Sequence, residues 1–165
     1  MAASGEHDLE IRPLSGPDEA ASCARVMVAS EPWITLHRTY EHALAIVNNP
    51  TREVYVANGG GKLRGFVILC MQGAFIGYVQ TICIAPDCRR RGLGSRLLAF
   101  AERRILRDSP NVFMCVSSFN TEARRLYERL GYEVVGELAA YLVPEHSEIL
   151  LRKTIGPWRG FQKKS

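Results

Sequence analysis

The sequence lacks the features that place a protein in a membrane or around a metal ion. No apolar run approaches the ~20 residues of a membrane-spanning helix, and the opening stretch M-A-A-S-G-E-H-D lacks the basic-then-apolar pattern of a signal peptide. None of the five cysteines forms a C-x-x-C pair, and the four histidines are scattered. The sequence therefore predicts no metal site, no disulfide framework and no membrane partner.

The cysteines also indicate a compartment. Cys70, Cys83 and Cys115 lie in apolar runs, so we expect them to be buried as small hydrophobic residues. An odd number of cysteines in such settings is typical of a reducing environment, and we predict a cytoplasmic protein.

The chain carries little net charge, because 21 Lys+Arg face 17 Asp+Glu and leave +4. This net charge is weaker than the basic stripe of most nucleic-acid-binding proteins, so no nucleic-acid partner is predicted. A mildly basic chain does suit the capture of an anionic small molecule. A chain of 165 residues with 47% hydrophobic residues can bury a substantial core. We predict one domain over residues 1–165, with its core at about 9–153 and a partly disordered tail at 156–165.

Apolar periodicity and turn residues predict alternating strands and helices. Strands are expected at 9–14, 53–57, 64–71, 76–84, 111–117, 132–138 and 147–153. Helices are expected at 17–30, in the stretch that ends near 47, at 95–106 and at 121–130. The order β-α-α-β-β-β-α-β-α-β-β is that of a mixed α/β sheet with flanking helices.

The stretch C-R-R-R-G-L-G-S, Cys88 to Ser95, joins the 76–84 strand to the next helix. Three arginines precede Gly92 and Gly94, at the point where the helix N-terminus offers unpaired N–H groups and partial positive charge. Glycines let a ligand approach that backbone closely. The pattern predicts an anion site, most naturally for a phosphate, although a solvated charge run before an ordinary helix has the same local sequence.

Two familiar phosphate loops do not fit. The string G-x-x-x-x-G-K-[ST] does not occur, and G-G-G-K at 59–62 is better interpreted as a hairpin turn. The dinucleotide fingerprint needs a third glycine where Leu97 stands, and the acidic residue expected ~20 positions later is missing. An R-x-x-G-x-G pattern, Arg89 to Gly94, remains.

This pattern carries a family resemblance. I-C-I-A-P-D-C-R-R-R-G-L-G-S-R-L-L resembles the acyl-CoA pyrophosphate signature of the GNAT superfamily of N-acyltransferases, and N-T-E-A-R-R-L-Y-E-R-L-G-Y is similar to a later motif of the same family. The resemblance implies a sheet that splays between the strand ending at Ile84 and the strand beginning near Asn111. Acetyl-CoA would bind in that gap as co-substrate. The residues implied to bind it are Ile82, Cys83, Ile84, Arg89, Arg90, Arg91, Gly92, Leu93, Gly94, Ser95, Asn120 and Tyr127.

The resemblance also implies a reaction: transfer of an acetyl group to a primary amine by direct attack within a ternary complex. Tyr127 would be the general acid at the coenzyme sulfur, although a half-buried helical tyrosine that covers core would look the same. In some members of that family a glutamate acts as the general base at the position of Tyr78, and in others at the position of Cys115. The base therefore stays open, with Tyr78, Gln80 or Glu31 as water-mediated relays.

The acceptor side is less specific. Glu31, Trp33 and Gln80 are the expected substrate residues, and Trp33 either walls the pocket or anchors the first two helices. The acceptor amine itself stays open among a peptide N-terminus, a protein lysine and a small molecule. A homodimer is possible, with Trp158 and Phe161 of the tail packing on the neighbour. The alternative function is a non-catalytic acyl-CoA-binding sensor or interaction module.

Overall fold

A computed structural model describes residues 9–165, so the opening stretch from which no signal peptide is predicted lies outside the described residues. The elements are β1 (Glu10–Pro13), α1 (Gly16–Val28), α2 (Tyr40–Val47), β2 (Arg52–Gly59), β3 (Lys62–Cys70), β4 (Tyr78–Ile84), α3 (Leu93–Ile105), β5 (Asn111–Ser117), α4 (Thr121–Arg129), β6 (Glu133–Val143) and β7 (His146–Thr154). This order confirms the predicted mixed α/β fold.

Element ends differ from the prediction where backbone geometry intervenes. β4 begins at Tyr78 rather than near Ile76, because Gly77 has a φ of +92° that ends extended backbone. β6 runs on to Val143, well past Leu138, because it pairs as a long hairpin with β7 through two irregularities.

Hydrogen bonds order the seven strands β1-β2-β3-β4-β5-β7-β6. The chain divides into two compact units. The first contains the described residues up to Leu69 together with Thr81–Ala101, and the second contains Cys70–Gln80 and Glu102–Ser165. β4 contributes its end to the first unit and its start to the second.

The core of the first unit forms where the apolar face of α1 meets the strands. Proline at the start of α1, followed by Asp18 and Glu19, suits a helix N-terminus. The fully buried members of this core are Ala20, Cys23, Ala24, Met27, Ala43, Val56, Phe66 and Ile68. Burial of this size supplies most of the driving force for folding, at about 25 cal/mol per Å² of apolar surface.

The second unit is built on antiparallel pairing. β5 pairs with β7 over its whole length, from Asn111 opposite Thr154 to Ser117 opposite Glu148. The parallel register of β4 with β5 comprises Tyr78 opposite Phe113 and the next pair along. The predicted splay of the sheet stays a prediction.

One smaller expectation, the burial of the cysteines, differs in part from the structure. Cys83 is buried as predicted, but Cys70 and Cys115 are only half-buried, since Cys70 ends β3 and Cys115 lies on the partly open face of β5. The tail at 156–165 has neither helix nor strand, and the Lys164 N–H donates to the Arg107 carbonyl at 2.9 Å; its partial disorder stays a prediction. Within residues 9–165 no helix is long and apolar enough to cross a membrane.

Candidate functional site

The arginine-glycine loop follows β4 through a single 3-10 turn, Pro86–Cys88, and leads into α3 at Leu93. Cys88 is buried and anchors the loop, because its Sγ lies 3.6 Å from Arg64 Nη1. Arg64 also reaches Asp87 at 3.6 Å. β3 thus holds the base of the loop, while Arg89, Arg90 and Arg91 are exposed.

The amides of this loop are available to a ligand. Among the described residues, no backbone hydrogen bond is donated by the N–H groups of residues 89–95, and the first such bond in α3 runs from Arg96 to the Gly92 carbonyl at 3.1 Å. Arg90 and Gly92 have left-handed backbone, with φ of 60° and 75°. Turns with left-handed residues bring successive N–H groups together as anion-binding nests, and such a turn before a helix N-terminus suits a diphosphate.

The two loop glycines have different physical reasons. Gly92 needs its glycine because its φ is +75°. Gly94 has no left-handed φ, and a Cβ added there would meet only Ile84 Cγ1 at an ordinary 3.8 Å. Neither backbone nor packing requires glycine at position 94, whereas a ligand lying close to the backbone would.

The end of β4 supports this loop from below. Ile82 and Ile84 are half-buried and Cys83 is buried, and the Ile84 carbonyl accepts from Arg89 Nε at 3.2 Å. Burial raises the pKa of the Cys83 thiol to about 12, so it is not a nucleophile at neutral pH. Gly65 lets β3 lie close to β4, since a Cβ there would lie 2.8 Å from the Cys83 carbonyl oxygen. No local sequence pattern indicates that contact.

The expected acceptor residues of the first unit lie between α1 and α2. Trp33 is half-buried and packs against the core of this unit, as expected of a residue that anchors the first two helices. Glu31 is exposed, and its Oε2 accepts from the Thr35 N–H at 3.2 Å. A part in substrate binding stays a prediction for both residues.

The second unit carries the predicted general acid. Tyr127 is half-buried on α4, its ring packs edge-on against Tyr132 at 6.1 Å, and burial raises its pKa to about 12. No hydrogen bond to its hydroxyl is present among the described residues. Asn120 caps the same helix, where its Oδ1 accepts from the Ala123 N–H at 3.3 Å.

Tyr78 stands at the start of β4 beside Cys115. Burial, and then the neighbouring Cys115 thiol, raise the pKa of Tyr78 far above its usual range, while burial raises that of Cys115. Neither is therefore a ready proton acceptor at neutral pH. Gln80 accepts from Cys70 Sγ at 3.5 Å.

Sequence reasoning misses one buried carboxyl group. Glu148 on β7 is 4% exposed, and its Oε1 accepts a 2.6 Å hydrogen bond from Ser117 Oγ. Burial raises the pKa of this carboxyl. The available signal is an acidic residue in the apolar run S-E-I-L-L, opposite a strand that ends in serine.

The groups fall into two sets. The first unit brings the end of β4 together with the loop of residues 89–95, and the second brings Tyr78 and Cys115 toward Glu148. Within the described residues no three His, Cys, Asp or Glu side chains are arranged to hold a metal ion.

Comparison with known proteins adds independent findings. A model of the acetyltransferase (GNAT) family matches residues 19–132. The catalytic subunit NAA20 of the N-terminal acetyltransferase B complex of Arabidopsis thaliana is 27% identical over 117 residues, which are 67% of this chain and 66% of that protein. The match thus spans just under two thirds of that relative.

Solved structures show the same fold. A protein assigned to the GNAT acetyltransferases from Desulfovibrio desulfuricans superposes with a TM-score of 0.74 at 23% identity, covering 90% of this chain and 99% of that one. An aminoglycoside 6'-N-acetyltransferase complexed with coenzyme A superposes with a TM-score of 0.70 at 18% identity, covering 90% and 98%.

Proposed function

The chain belongs to the acetyltransferase (GNAT) family, and from that premise we propose that it transfers the acetyl group of acetyl-CoA to a primary amine by direct attack within a ternary complex. The observation that carries the proposal is the row of unengaged amides at residues 89–95, together with a glycine at position 94 that the protein itself does not require. Both features fit a coenzyme diphosphate held on backbone N–H groups.

Acetyl-CoA supplies the activated acetyl group as a thioester, and the residues of this chain bind and orient it. The amides of residues 89–95 hold the diphosphate, and exposed Arg89, Arg90 and Arg91 add long-range attraction for its charge. The backbone of Ile82, Cys83 and Ile84 offers edge groups to an extended arm, and Asn120 has side-chain N–H groups free for it among the described residues.

Tyr127 is the proposed general acid for the departing thiolate. Its pKa of about 12 keeps the phenol protonated at neutral pH, so the proton is present when negative charge develops on sulfur. With no partner for the hydroxyl among the described residues, the O–H is available to a ligand.

For the acceptor, only the chemical class is proposed: a primary amine. The curated relative is named for N-terminal acetylation, whereas one structural neighbour is named for an aminoglycoside. Glu31, Trp33 and Gln80 are the proposed acceptor contacts. We also propose a cytoplasmic location, which the five unpaired cysteines support. A homodimer is the proposed assembly.

Two measurements test the function. Acetyl-CoA at 100 times its dissociation constant should stabilise the folded chain by about 2.7 kcal/mol, seen as a raised unfolding midpoint, while free acetate should not. A panel of α-amines, lysine peptides and aminoglycosides, with free-thiol detection of released coenzyme A, then seeks the acceptor. No shift with acetyl-CoA would refute the proposal, and a shift without thiol release from any amine would favour the non-catalytic acyl-CoA-binding module.

A further inference from the structure

A buried carboxylate stands on the face of the second unit that also carries Tyr78. Tyr78 is directly opposite Phe113, and side chains two residues apart on a strand point to the same face, so Cys115 shares that face with Tyr78. Ser117, two residues further, shares it as well. The β5–β7 register places Glu148 directly opposite Ser117.

The surroundings of Glu148 leave its charge without a cationic partner in hydrogen-bond contact. Ser117 Oγ donates to Oε1, and no hydrogen bond to Oε2 or ion pair of this carboxylate is present among the described residues. The titratable groups around Glu148 and Tyr78, called the cluster below, are Cys115 on β5, Tyr141 on β6 and His146 on β7. Tyr141 lies near Tyr78, and His146 lies near Glu148. His146 makes no hydrogen bond to the carboxylate among the described residues, and its electrostatic effect is in the direction that lowers the pKa of Glu148.

A buried carboxylate with one hydrogen bond is costly, and an apolar residue at this strand position would be cheaper. The cost becomes useful if a positively charged group visits. Tyr141 on β6 is 60% exposed, so one member of the cluster is open to solvent.

We propose that Glu148 accepts the proton of the acceptor ammonium, with Ser117 as the positioning residue that holds the carboxylate. The inference rests on the proposed function and deepens it by supplying the base that Tyr78 and Cys115 do not. In the step, the N–H bond of R–NH3+ breaks and its proton goes to the Glu148 carboxylate. The resulting R–NH2 then attacks the thioester carbon, the carbon–sulfur bond breaks, and its electron pair leaves on the thiolate, which takes the proton of Tyr127. The nitrogen gives up one of its two remaining protons, which restores the Tyr127 phenol.

The raised pKa of Glu148 supports this role, because a carboxylate whose pKa is moved toward neutrality is a better proton acceptor than an ordinary one. A lysine-type amine has a pKa of about 10.4 and an α-amine one of about 7.7–8.0, so the lysine-type acceptor depends more on a base at neutral pH.

The test compares Glu148→Gln with Glu137→Gln, an exposed glutamate on the adjacent strand, as control. Glu148→Gln should lower kcat/KM at pH 7 by about 10²-fold or more, leave the acetyl-CoA-induced thermal shift unchanged, and recover as pH rises toward the pKa of the amine. The loss should be larger for a lysine-type acceptor than for an α-amine. Glu137→Gln should behave as wild type.

Ser117→Ala provides a second, independent readout. Its hydrogen bond lowers the pKa of Glu148, so its removal should move the acid limb of the wild-type pH profile to higher pH. A merely structural Ser117–Glu148 contact would leave that limb in place.

The outcomes separate the two proposals. Wild-type turnover with an unchanged pH profile in Glu148→Gln overturns the role of Glu148 and leaves the proposed function standing. A wild-type chain that acetylates no amine overturns both. If Glu148→Gln does not fold, an acid limb that stays put in Ser117→Ala overturns the inference, and a limb that moves upward supports it.

Discussion

The guanidinium of Arg12 donates two hydrogen bonds to the carboxylate of Glu19, at 2.8 and 3.0 Å, and so ties β1 to α1. The same carboxylate accepts from the Ser15 N–H at 2.7 Å and from Asn58 Nδ2 at 2.9 Å. The hydrogen bond from Arg12, the largest cause, lowers the pKa of Glu19 to about 2. Glu19 is therefore a junction of three elements of the first unit.

Because of this junction, the free energy of unfolding should depend on pH in the acid range. Because the folded pKa lies below the ordinary glutamate value of 4.5, the stabilisation is present above pH 4.5 and is lost as pH falls to about 2. Glu19→Gln should lower the free energy of unfolding at pH 7 by about 1–3 kcal/mol and flatten its dependence between pH 4.5 and 2. Urea denaturation at several pH values measures this. Exposed Glu41→Gln is the control, and an equal loss there would contradict the assignment.

Gly94→Ala separates ligand binding from folding. The new methyl group meets nothing closer than 3.8 Å in the protein, and alanine favours helix over glycine by about 0.5–1 kcal/mol, so the unfolding midpoint should hold or rise. Acetyl-CoA affinity should fall about tenfold or more, equivalent to about 1.4 kcal/mol. Titration calorimetry measures the affinity. Gly136→Ala, which is equally open, should leave it unchanged, and undiminished binding in Gly94→Ala would argue against a ligand at this backbone.

Tyr127→Phe tests the general acid. The change removes a hydroxyl with no hydrogen bond among the described residues, so stability and acetyl-CoA affinity should hardly move. Turnover should fall about 10²–10⁴-fold. Steady-state kinetics beside a binding titration separates the two quantities, with Tyr40→Phe on α2 as control. Wild-type turnover in Tyr127→Phe would leave the residue a structural role alone.

Gly77→Ala should destabilise the second unit strongly. A Cβ there would lie 2.4 Å from the Asn111 carbonyl oxygen and 2.6 Å from Ile105 Cγ2, and the φ of +92° is also unfavourable to alanine. We expect a loss of at least about 3 kcal/mol in the free energy of unfolding. Gly73→Ala is the matched control, because its φ is +88° but nothing lies within 4 Å. It should cost about 1 kcal/mol. Equal losses in the two variants would show that backbone strain, not crowding, sets the effect.

Much of the fold is predictable from local patterns. The strand at 111–117 is predicted to the residue, since N-V-F-M-C-V-S is apolar and bounded by turn residues. The prediction fails where long-range pairing overrides local preference. β6 continues through Ala140, with a φ of 50°, and its pairing with β7 resumes at Val143 opposite His146 after an irregularity that follows Leu138.

The candidate site divides in the same way. Arg89, Gly92 and Gly94 lie within six consecutive residues, so a short stretch of sequence is enough to indicate their chemistry. Glu148 differs, because its meaning depends on Ser117, 31 residues away, and on the face to which the register turns it.

The sequence by itself determined the order of strands and helices and the arginine-glycine pattern that predicts an anion site at residues 89–95, because both depend on neighbours within a turn or two of chain. Only the tertiary structure decided that Gly94 has no packing reason to be glycine and that a buried carboxylate stands opposite Ser117. Those facts depend on strand register and on close approach of distant segments. Both are set by the free energy of packing the whole chain rather than by any local stretch of it.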